Sequence, residues 1–490
     1  MYMGGARTAF TRHLIKKKKY LISYLASSGW FIAGVWVSSS LFSGCATFQA
    51  KPLSPAHTAS AFESRRLNSP QLREFLERSF HHEAIPWPLQ SWDFPMLSLA
   101  AFFYHPDLDV ARAEWETAKA AVITAGEIPN PSLDFIPQYD AHSPAGIPPW
   151  TIGLTLDIPI ETAGKRGYRI ARAEHLSKAA ALHVATVTWQ VRSGLRRSLL
   201  DLYAPDQLQA DLERQVSIQE ALVKLMATRL AVGEVSRPDV TLAQISLDQA
   251  RLSMGEAQKQ KAEARVQLAD ALGLPVAALA GVVISFAFLE RLPGEPALAA
   301  LRRLALLNRS DILGALSAYA ASQSALQLEI AKQYPDVHIG PGYEYDQGED
   351  KWSIGLSLSL PIFNQNQGPV AEAEARRKRA EACFLALQAQ VIGEIDRTLA
   401  GYAAAIAKLK TADALLAQNQ RRLQSTEALF RAGESDRFSL LNARLELAVA
   451  RVLRLSALVE AQKSLGLLED ALEHPLQPAE SLPYCAEPGP

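Results

Sequence analysis

Cysteine is scarce: the three in 490 residues, at positions 45, 383 and 485, are too few and too scattered for a disulfide framework. None lies in a Cys-x-x-Cys or zinc-ligand spacing, so thiol chemistry and structural zinc are excluded. Net charge is also nearly missing. Lys+Arg 50 against Asp+Glu 51 leaves −1, which provides no basic field to hold nucleic acid. The ten histidines are scattered, with His81-His82 the sole adjacent pair, so no metal ligand set and no cofactor is expected. Gly-x-Ser-x-Gly, P-loop and His-Glu-x-x-His patterns are absent, which argues against an enzyme. What the chain does have is 48% hydrophobic against 21% charged residues, the balance of a folding chain, and a length that implies two to four structural units.

The first 45 residues carry a targeting segment. Arg7, Arg12 and Lys16 to Lys19 form a basic region, Tyr20 to Gly44 is uncharged, and Leu41-Phe42-Ser43-Gly44-Cys45 follows. Small residues at 43 and 44 open the backbone to a peptidase, and Cys45 supplies a thiol for diacylglycerol. This segment resembles a bacterial lipoprotein signal. A transmembrane anchor is the alternative, since 25 uncharged residues are long enough to span a bilayer, although seven serines dilute it.

The rest of the chain is written twice. Trp150-Thr-Ile-Gly-Leu-Thr-Leu-Asp-Ile-Pro-Ile160 and Trp352-Ser-Ile-Gly-Leu-Ser-Leu-Ser-Leu-Pro-Ile362 match at seven of eleven positions. Upstream, Asp107, Ala111 and Pro131 correspond to Asp311, Ala315 and Pro335. Downstream, Gly233-Glu234, Arg237, Ala243 and Arg251 correspond to Gly433-Glu434, Arg437, Ala443 and Arg451. Each copy reads helix, two strands, long helix, turn, long helix. The strands are expected at Leu133 to Tyr139, Trp150 to Ile158, Val337 to Tyr345 and Trp352 to Leu360. They alternate with period two: Trp150, Ile152, Leu154, Leu156 and Ile158 oppose Thr151, Gly153, Thr155 and Asp157, and the second copy repeats this from Trp352. An apolar face against a small polar one, with Tyr139, Trp150, Tyr343 and Trp352 as interface aromatics, fits a transmembrane barrel. A half-buried strand of a soluble sandwich alternates equally well.

The helices decide between them. From 369 to 431 no proline follows Pro369 itself, and Ile392, Ile395, Leu399, Tyr402, Ile406 and Leu409 recur at heptad spacing. At ~1.5 Å per residue such a helix reaches roughly 90 Å, more than a sandwich uses. Residues 166 to 231 repeat the design, with Leu212, Val216, Gln219, Val223, Met226 and Leu230 on one seam and a kink expected at Pro205; returning helices run 237 to 273 and 436 to 472. Four strands cannot close a barrel and an open edge is intolerable in hydrocarbon, so the chain must oligomerise. The fold class is mainly α with membrane β: a tandem repeat of strand hairpin plus long coiled helical hairpin, three copies making a 12-stranded β-barrel continued by a helical tunnel. The divisions are 1–44 signal, 45–93 amino-terminal linker, 94–274 first repeat, 275–295 inter-repeat linker, 296–473 second repeat and 474–490 tail. The uncharged stretch Ala271 to Leu289 is expected to be a packed linker, since Gly273, Pro275 and Gly281 stop a helix.

At these residues the chain resembles the TolC-like trimeric outer-membrane efflux factors over essentially its whole length. Asn130-Pro131 and Ile158-Pro159-Ile160-Glu161-Thr162-Ala163-Gly164-Lys165-Arg166 resemble their heavy-metal branch, the CzcC-like and CusC-like components. The resemblance implies a homotrimer in outer-membrane lipid, extending into the periplasm to meet a periplasmic adaptor and an inner-membrane pump of the resistance-nodulation-division type. It also implies docking tips and a gate at Gly233, Glu234, Val235, Ser236, Arg237 and Asp239, and at Gly433, Glu434, Ser435, Asp436 and Arg437. The acidic iris of some members is not matched, because Ser439 and Asn442 stand at its positions. Glu234, Glu434, Asp436, Arg237 and Arg437 are therefore candidates for charged locking contacts. Competing readings are a drug, organic-compound or type I secretion channel, a periplasmic adaptor lipoprotein, and a lipoprotein enzyme or scaffold on a coiled-coil stalk.

Overall fold

The computed structural model describes residues 46–79, 87–294 and 298–477, so Cys45, Cys485, His81-His82 and the signal segment lie outside the described residues. Residues 1–61 form a unit of their own, and residues 62–490 form the second. The helices are α1 (Pro55–Glu63), α2 (Pro70–Ser79), α3 (Phe94–Tyr104), α4 (Pro106–Gly126), α5 (Lys165–Ala231), α6 (Arg237–Ala271), α7 (Leu298–Asn308), α8 (Ser310–Ala331), α9 (Gln367–Arg431) and α10 (Arg437–Leu472). The strands are β1 (Ser132–Tyr139), β2 (Trp150–Ile160), β3 (Val337–Asp346) and β4 (Glu349–Leu358). Helix, strand pair, long helix and returning helix thus occur twice, as the repeat requires. Among the described residues no helix is long and apolar enough to cross a membrane.

The four strands form one antiparallel sheet in the order β1-β2-β3-β4, leaving β1 and β4 as its edges. Cross-strand pairs keep apolar with apolar: Phe135 faces Leu154, Leu154 faces Tyr343, and Tyr343 faces Trp352. Because the side-chain period is two, this register gathers the large apolar groups of all four strands on one side, with Ile136, opposite Gly153, the exception on the other. The β2–β3 pairing lapses between Thr155 and Ile158, opposite Pro341, whose nitrogen has no hydrogen to donate. The other two ladders run unbroken through Pro137 and Pro341. β4 starts three residues before Trp352 and ends at Leu358, not Leu360. Gln347 and Gly348 both have positive φ, 50° and 109°, so the hairpin closes on two residues and pairing runs up to Asp346 and Glu349.

The long helices pack at heptad spacing, but the seam of α9 is displaced by one residue at every other position. In α9 the buried series is Val391, Ile395, Thr398, Tyr402, Ala405 and Leu409, so Val391, Thr398 and Ala405 take the places expected of Ile392, Leu399 and Ile406, while Ile395, Tyr402 and Leu409 hold theirs. In α5 the helix continues through a buried Pro205, and Leu212, Gln219 and Leu222 carry the burial further down. The first core gathers Leu72 and Leu76 of α2, Phe94 and Leu97 of α3, and Leu195 and Leu199 of α5. A second joins Leu301 of α7 to Val391, Ile395, Leu465 and Leu468, and a third brings Leu200 and Tyr203 of the first repeat onto Leu409, Leu458 and Ala461 of the second.

A buried polar knot fixes the two repeats to one another. Arg192 and Arg196 of α5 face Glu469 of α10 at 3.9 and 3.4 Å, and all three side chains are almost fully buried. Arg196 also donates to the Gln462 carbonyl and side-chain oxygens at 3.0 and 2.8 Å, while Gln462 donates to the Leu289 carbonyl at 2.7 Å. Trp189 and Ser193 donate to Asp470 at 3.1 and 2.7 Å.

Between α6 and α7 the chain turns through Gly273, at φ +67°, and two short 3-10 turns, with Leu272, Leu274, Leu279 and Leu289 buried. Arg65 donates to both the Tyr104 and Gly273 carbonyls at 2.8 Å. A Cβ at Gly273 would fall 2.5 Å from the Tyr104 oxygen, whereas one at Gly281, φ +74°, meets open space. Gly281→Ala should therefore cost about 1 kcal/mol for backbone strain alone. Gly273→Ala should cost at least about 2 kcal/mol more, read as a lower thermal unfolding midpoint.

Candidate docking tips and membrane surface

Each long hairpin turns at a glycine in the same conformation. Gly233 and Gly433 both have φ +79°. In the first turn Glu234 donates its amide to the Arg229 carbonyl at 2.9 Å and Gly233 to Leu230 at 3.1 Å; in the second Glu434 donates to Leu429 at 2.9 Å and Gly433 to Phe430 at 3.2 Å. This double closure is the Schellman arrangement, and it needs a left-handed residue. No atom lies within 4 Å of a Cβ placed on either glycine, so backbone conformation alone selects it.

The next helices start on caps of different construction. Ser236 and Asp239 make a reciprocal box in which the Asp239 carboxylate accepts from the Ser236 amide at 2.9 Å and from its hydroxyl at 2.5 Å. The Ser236 hydroxyl, then its amide, hold the Asp239 carboxyl below its ordinary range. Asp436 caps α10 directly, accepting from the Ser439 amide at 2.9 Å. Ser439, through side chain and amide, and then the Arg229 guanidinium lower the Asp436 carboxyl to about 2.

Arg229 ties the two tips together. It donates to Asp436 at 2.7 Å across the repeats, lies 3.7 Å from Glu234 in its own turn, and sits 5.6 Å from the Phe438 ring centre. Of the charged residues the sequence singles out, Glu234 and Asp436 meet at this arginine. Glu434, Arg237 and Arg437 enter no ion pair among the described residues and remain exposed. Arg229 and Phe438 escaped the motif reading because the repeat does not carry them: Leu429 and Pro238 stand at the corresponding places. Above the turns, Gln219, Met226, Leu242, Phe438 and Asn442 border a groove of about 280 Å³ between the two hairpins.

At the sheet, Tyr139 packs on Trp150 with ring centres 5.0 Å apart, and Tyr343 on Trp352 at 4.9 Å, so the four expected aromatics form two equivalent pairs. The apolar face is open: Trp352 is 81% exposed and Ile354 84%. The polar face carries Asp134, Asp157, Glu344, Asp346 and Glu349 with Lys351 and His338. Asp157 lies 3.0 Å from His338, and Lys351 donates to Asp346 at 2.6 Å. Among the described residues no three His, Cys, Asp or Glu side chains converge into a metal-holding group.

Residues 100–274 and 301–472, both repeats, match the family described as Outer membrane efflux protein. The chain belongs to that family. It is 25% identical to the cobalt-zinc-cadmium resistance protein CzcC of Cupriavidus metallidurans over 75% of this chain and 86% of that one. It is 24% identical to the pyoverdine export outer membrane protein OpmQ of Pseudomonas aeruginosa over 65% of this chain and 70% of that one. The crystal structure of VceC from Vibrio cholerae shares the fold, with a TM-score of 0.63 at 19% identity, covering 78% of this chain and 97% of the other. A family of outer-membrane efflux channels agrees with exposed apolar strands that a soluble sandwich would have to cover.

The depressed carboxyls set the pH response of the tips. A cap whose folded carboxyl lies below its unfolded value stabilises fully above the ordinary carboxylate range and loses its contribution as pH falls through the folded value. The protection of the amides of residues 432–440, their exchange rate relative to that of an unstructured chain at the same pH, should therefore hold from pH 8 down to about 4 and fall on approaching about 2. Asp436→Ala should speed this exchange by the equivalent of about 1 kcal/mol, and Asp436→Asn, which retains a cap acceptor, by less.

Proposed function

We propose that this chain is the passive exit duct of a tripartite efflux system: a lipid-anchored homotrimer in the bacterial outer membrane that docks a periplasmic adaptor and exports heavy-metal cations delivered by an inner-membrane pump. The observation that carries the reading is the sheet, with its two unpaired edges, an exposed apolar face and a polar face. One copy cannot close it, and three supply twelve strands with the apolar sides toward lipid. The turns at Gly233 and Gly433 are the adaptor-docking surface in this reading. They present the unpaired Arg237, Glu434 and Arg437, and the Arg229–Asp436 pair acts as a catch between them. Exposed pairs of this kind contribute only about 0.2–1 kcal/mol each, suitable for a contact that opens.

Cationic cargo is supported by five carboxylates against one lysine on the polar face and by the similarity to CzcC. An organic cargo is the second reading, favoured by the similarity to OpmQ. Deleting the gene in its host decides between them. The expected result is a several-fold loss of tolerance to cobalt, zinc or cadmium, restored by the intact gene, with organic export unchanged. Unchanged metal tolerance with lost export of a siderophore or drug would select the second reading.

Lipid anchoring rests on the Ser43-Gly44-Cys45 sequence. Cys45→Ala should abolish labelling by a palmitate analogue, and persistent labelling would refute the anchor.

A further inference from the structure

We infer that Glu473 is an acid-tightened latch: its carboxylate ties the end of α10 to the start of α8, and the tie holds more firmly as the surroundings acidify. The inference goes beyond the exit-duct reading, since it concerns how one copy holds its own helices. Only its last consequence, for channel opening, rests on that reading.

Glu473 stands where the repeat calls for a glycine. Gly273 ends the first returning helix and Glu473 the second, at corresponding positions. Both take the left-handed conformation, with φ +67° and +47°. Glycine adopts it freely, whereas a longer side chain is strained there and persists only where its surroundings hold it. The start of α8 holds Glu473. Arg309, at the N-cap of α8, has no acceptor and makes no side-chain cap. Glu473 Oε2 supplies the acceptor from 163 residues away, taking hydrogen bonds from the Ser310 amide and hydroxyl, both at 2.7 Å.

The Ser310 hydroxyl belongs to a chain of donors. Its oxygen lies 2.6 Å from Thr186 Oγ1 of α5, which in turn lies 3.3 Å from the Leu182 carbonyl. With Glu473 ionised, Thr186 donates to Ser310 and Ser310 to the carboxylate. With Glu473 protonated the order reverses: the acid donates to Ser310, Ser310 to Thr186, and Thr186 to the Leu182 carbonyl. Either form keeps hydrogen-bond partners, but only the ionised one takes a charge out of water.

Counter-charge at this junction is largely spoken for. The nearly buried Arg309 guanidinium donates to Asp311 at 3.0 and 2.7 Å and to the Ala471 carbonyl at 2.6 Å, and lies 3.8 Å from Glu394 of α9. On α10 itself Asp470 accepts from Trp189 and Ser193 of α5. Burial raises the Glu473 carboxyl above its ordinary range against the pull of the two Ser310 bonds, with Asp311 adding to the rise and Arg309 opposing it. A carboxyl raised by folding contributes stability that is full below its unfolded value and lost as pH rises through the folded one. The latch is therefore firm in acid and loosest at neutral pH, where α10 parts from α8 more readily and the channel opens more often.

Amide protection of residues 310–314 and 472–474, referred to an unstructured chain at the same pH, is measured in the full-length protein from pH 7.5 down to 4.5. It should rise several-fold as pH falls, while the tip amides 432–440 stay level. Glu473→Gln, neutral throughout and still able to accept and donate, should hold the high value at every pH. Glu473→Gly, the residue of the first repeat, relieves the backbone and removes the latch, so protection should be low and flat. His474, exposed beside Glu473, titrates in all three chains and drops out of the comparison. A flat profile in the unmodified protein, or a pH response that survives in Glu473→Gln, overturns the latch. Single-channel recording in planar bilayers tests the consequence: opening should be several-fold rarer at pH 5 than at pH 7.5, and rare at both in Glu473→Gln. Opening that ignores pH while protection responds overturns the effect on gating alone. No conductance in any of the three proteins overturns the exit-duct reading and leaves the latch to the exchange data.

Discussion

Two long hairpins of one chain keep step because a pair of guanidinium groups and a carboxylate are buried between them. Taking charges out of water costs several kcal/mol per ion, and their attraction repays it only when the geometry is satisfied on every side. Here Arg196 reaches Gln462 as well as Glu469, and Arg192 lies 5.0 Å from the Phe94 ring centre and 4.7 Å from that of Trp189. An apolar contact would tolerate sliding by a heptad, since one leucine fits the place of another. The Arg–Glu–Gln knot does not, because a displaced register would bury unpaired charge at a cost of about 3–5 kcal/mol. Sheet register and tip alignment depend on it, since both lie at the far ends of the helices it fixes.

Duplication supplied the architecture and divergence the chemistry. The strand hairpins, left-handed caps and tip glycines are common to both repeats. The ionic features are not: Lys165, His338 and Arg229 each have an uncharged or unrelated counterpart in the other copy. Each of these three reaches across from one repeat to the other, to Asp336, Asp157 and Asp436. These three pairs mark the boundary between repeats within a chain.

The alternation of Trp150 to Ile158 and the heptads of α9 were legible because one surface, lipid or partner helix, selects every second or every third-to-fourth residue. Helix stops at Gly233, Gly273 and Gly433 were legible because only glycine takes that backbone freely. The early start of β4 was hidden, since Glu349, Asp350 and Lys351 carry no apolar signal and are ordered by the two-residue turn before them. The role of Arg229 was hidden for another reason: its partner, Asp436, is 207 residues away, and no local pattern encodes such a contact. The knot around Glu469 was illegible likewise, as arginines on an Ala- and Leu-rich helix read as its solvated side.

The prolines of the sheet have a consequence for the chain before it assembles. Pro341 interrupts pairing toward β2 but not toward β4, and Pro137, its counterpart, leaves the β1–β2 ladder unbroken. The missing donor of Pro137 therefore faces the free edge of β1. A newly made copy exposes that edge beside a broad apolar surface, the combination that seeds indiscriminate strand addition. An imino acid in the middle of it withholds one rung from any incoming strand, so stray polypeptides gain less there than a partner whose remaining contacts all fit.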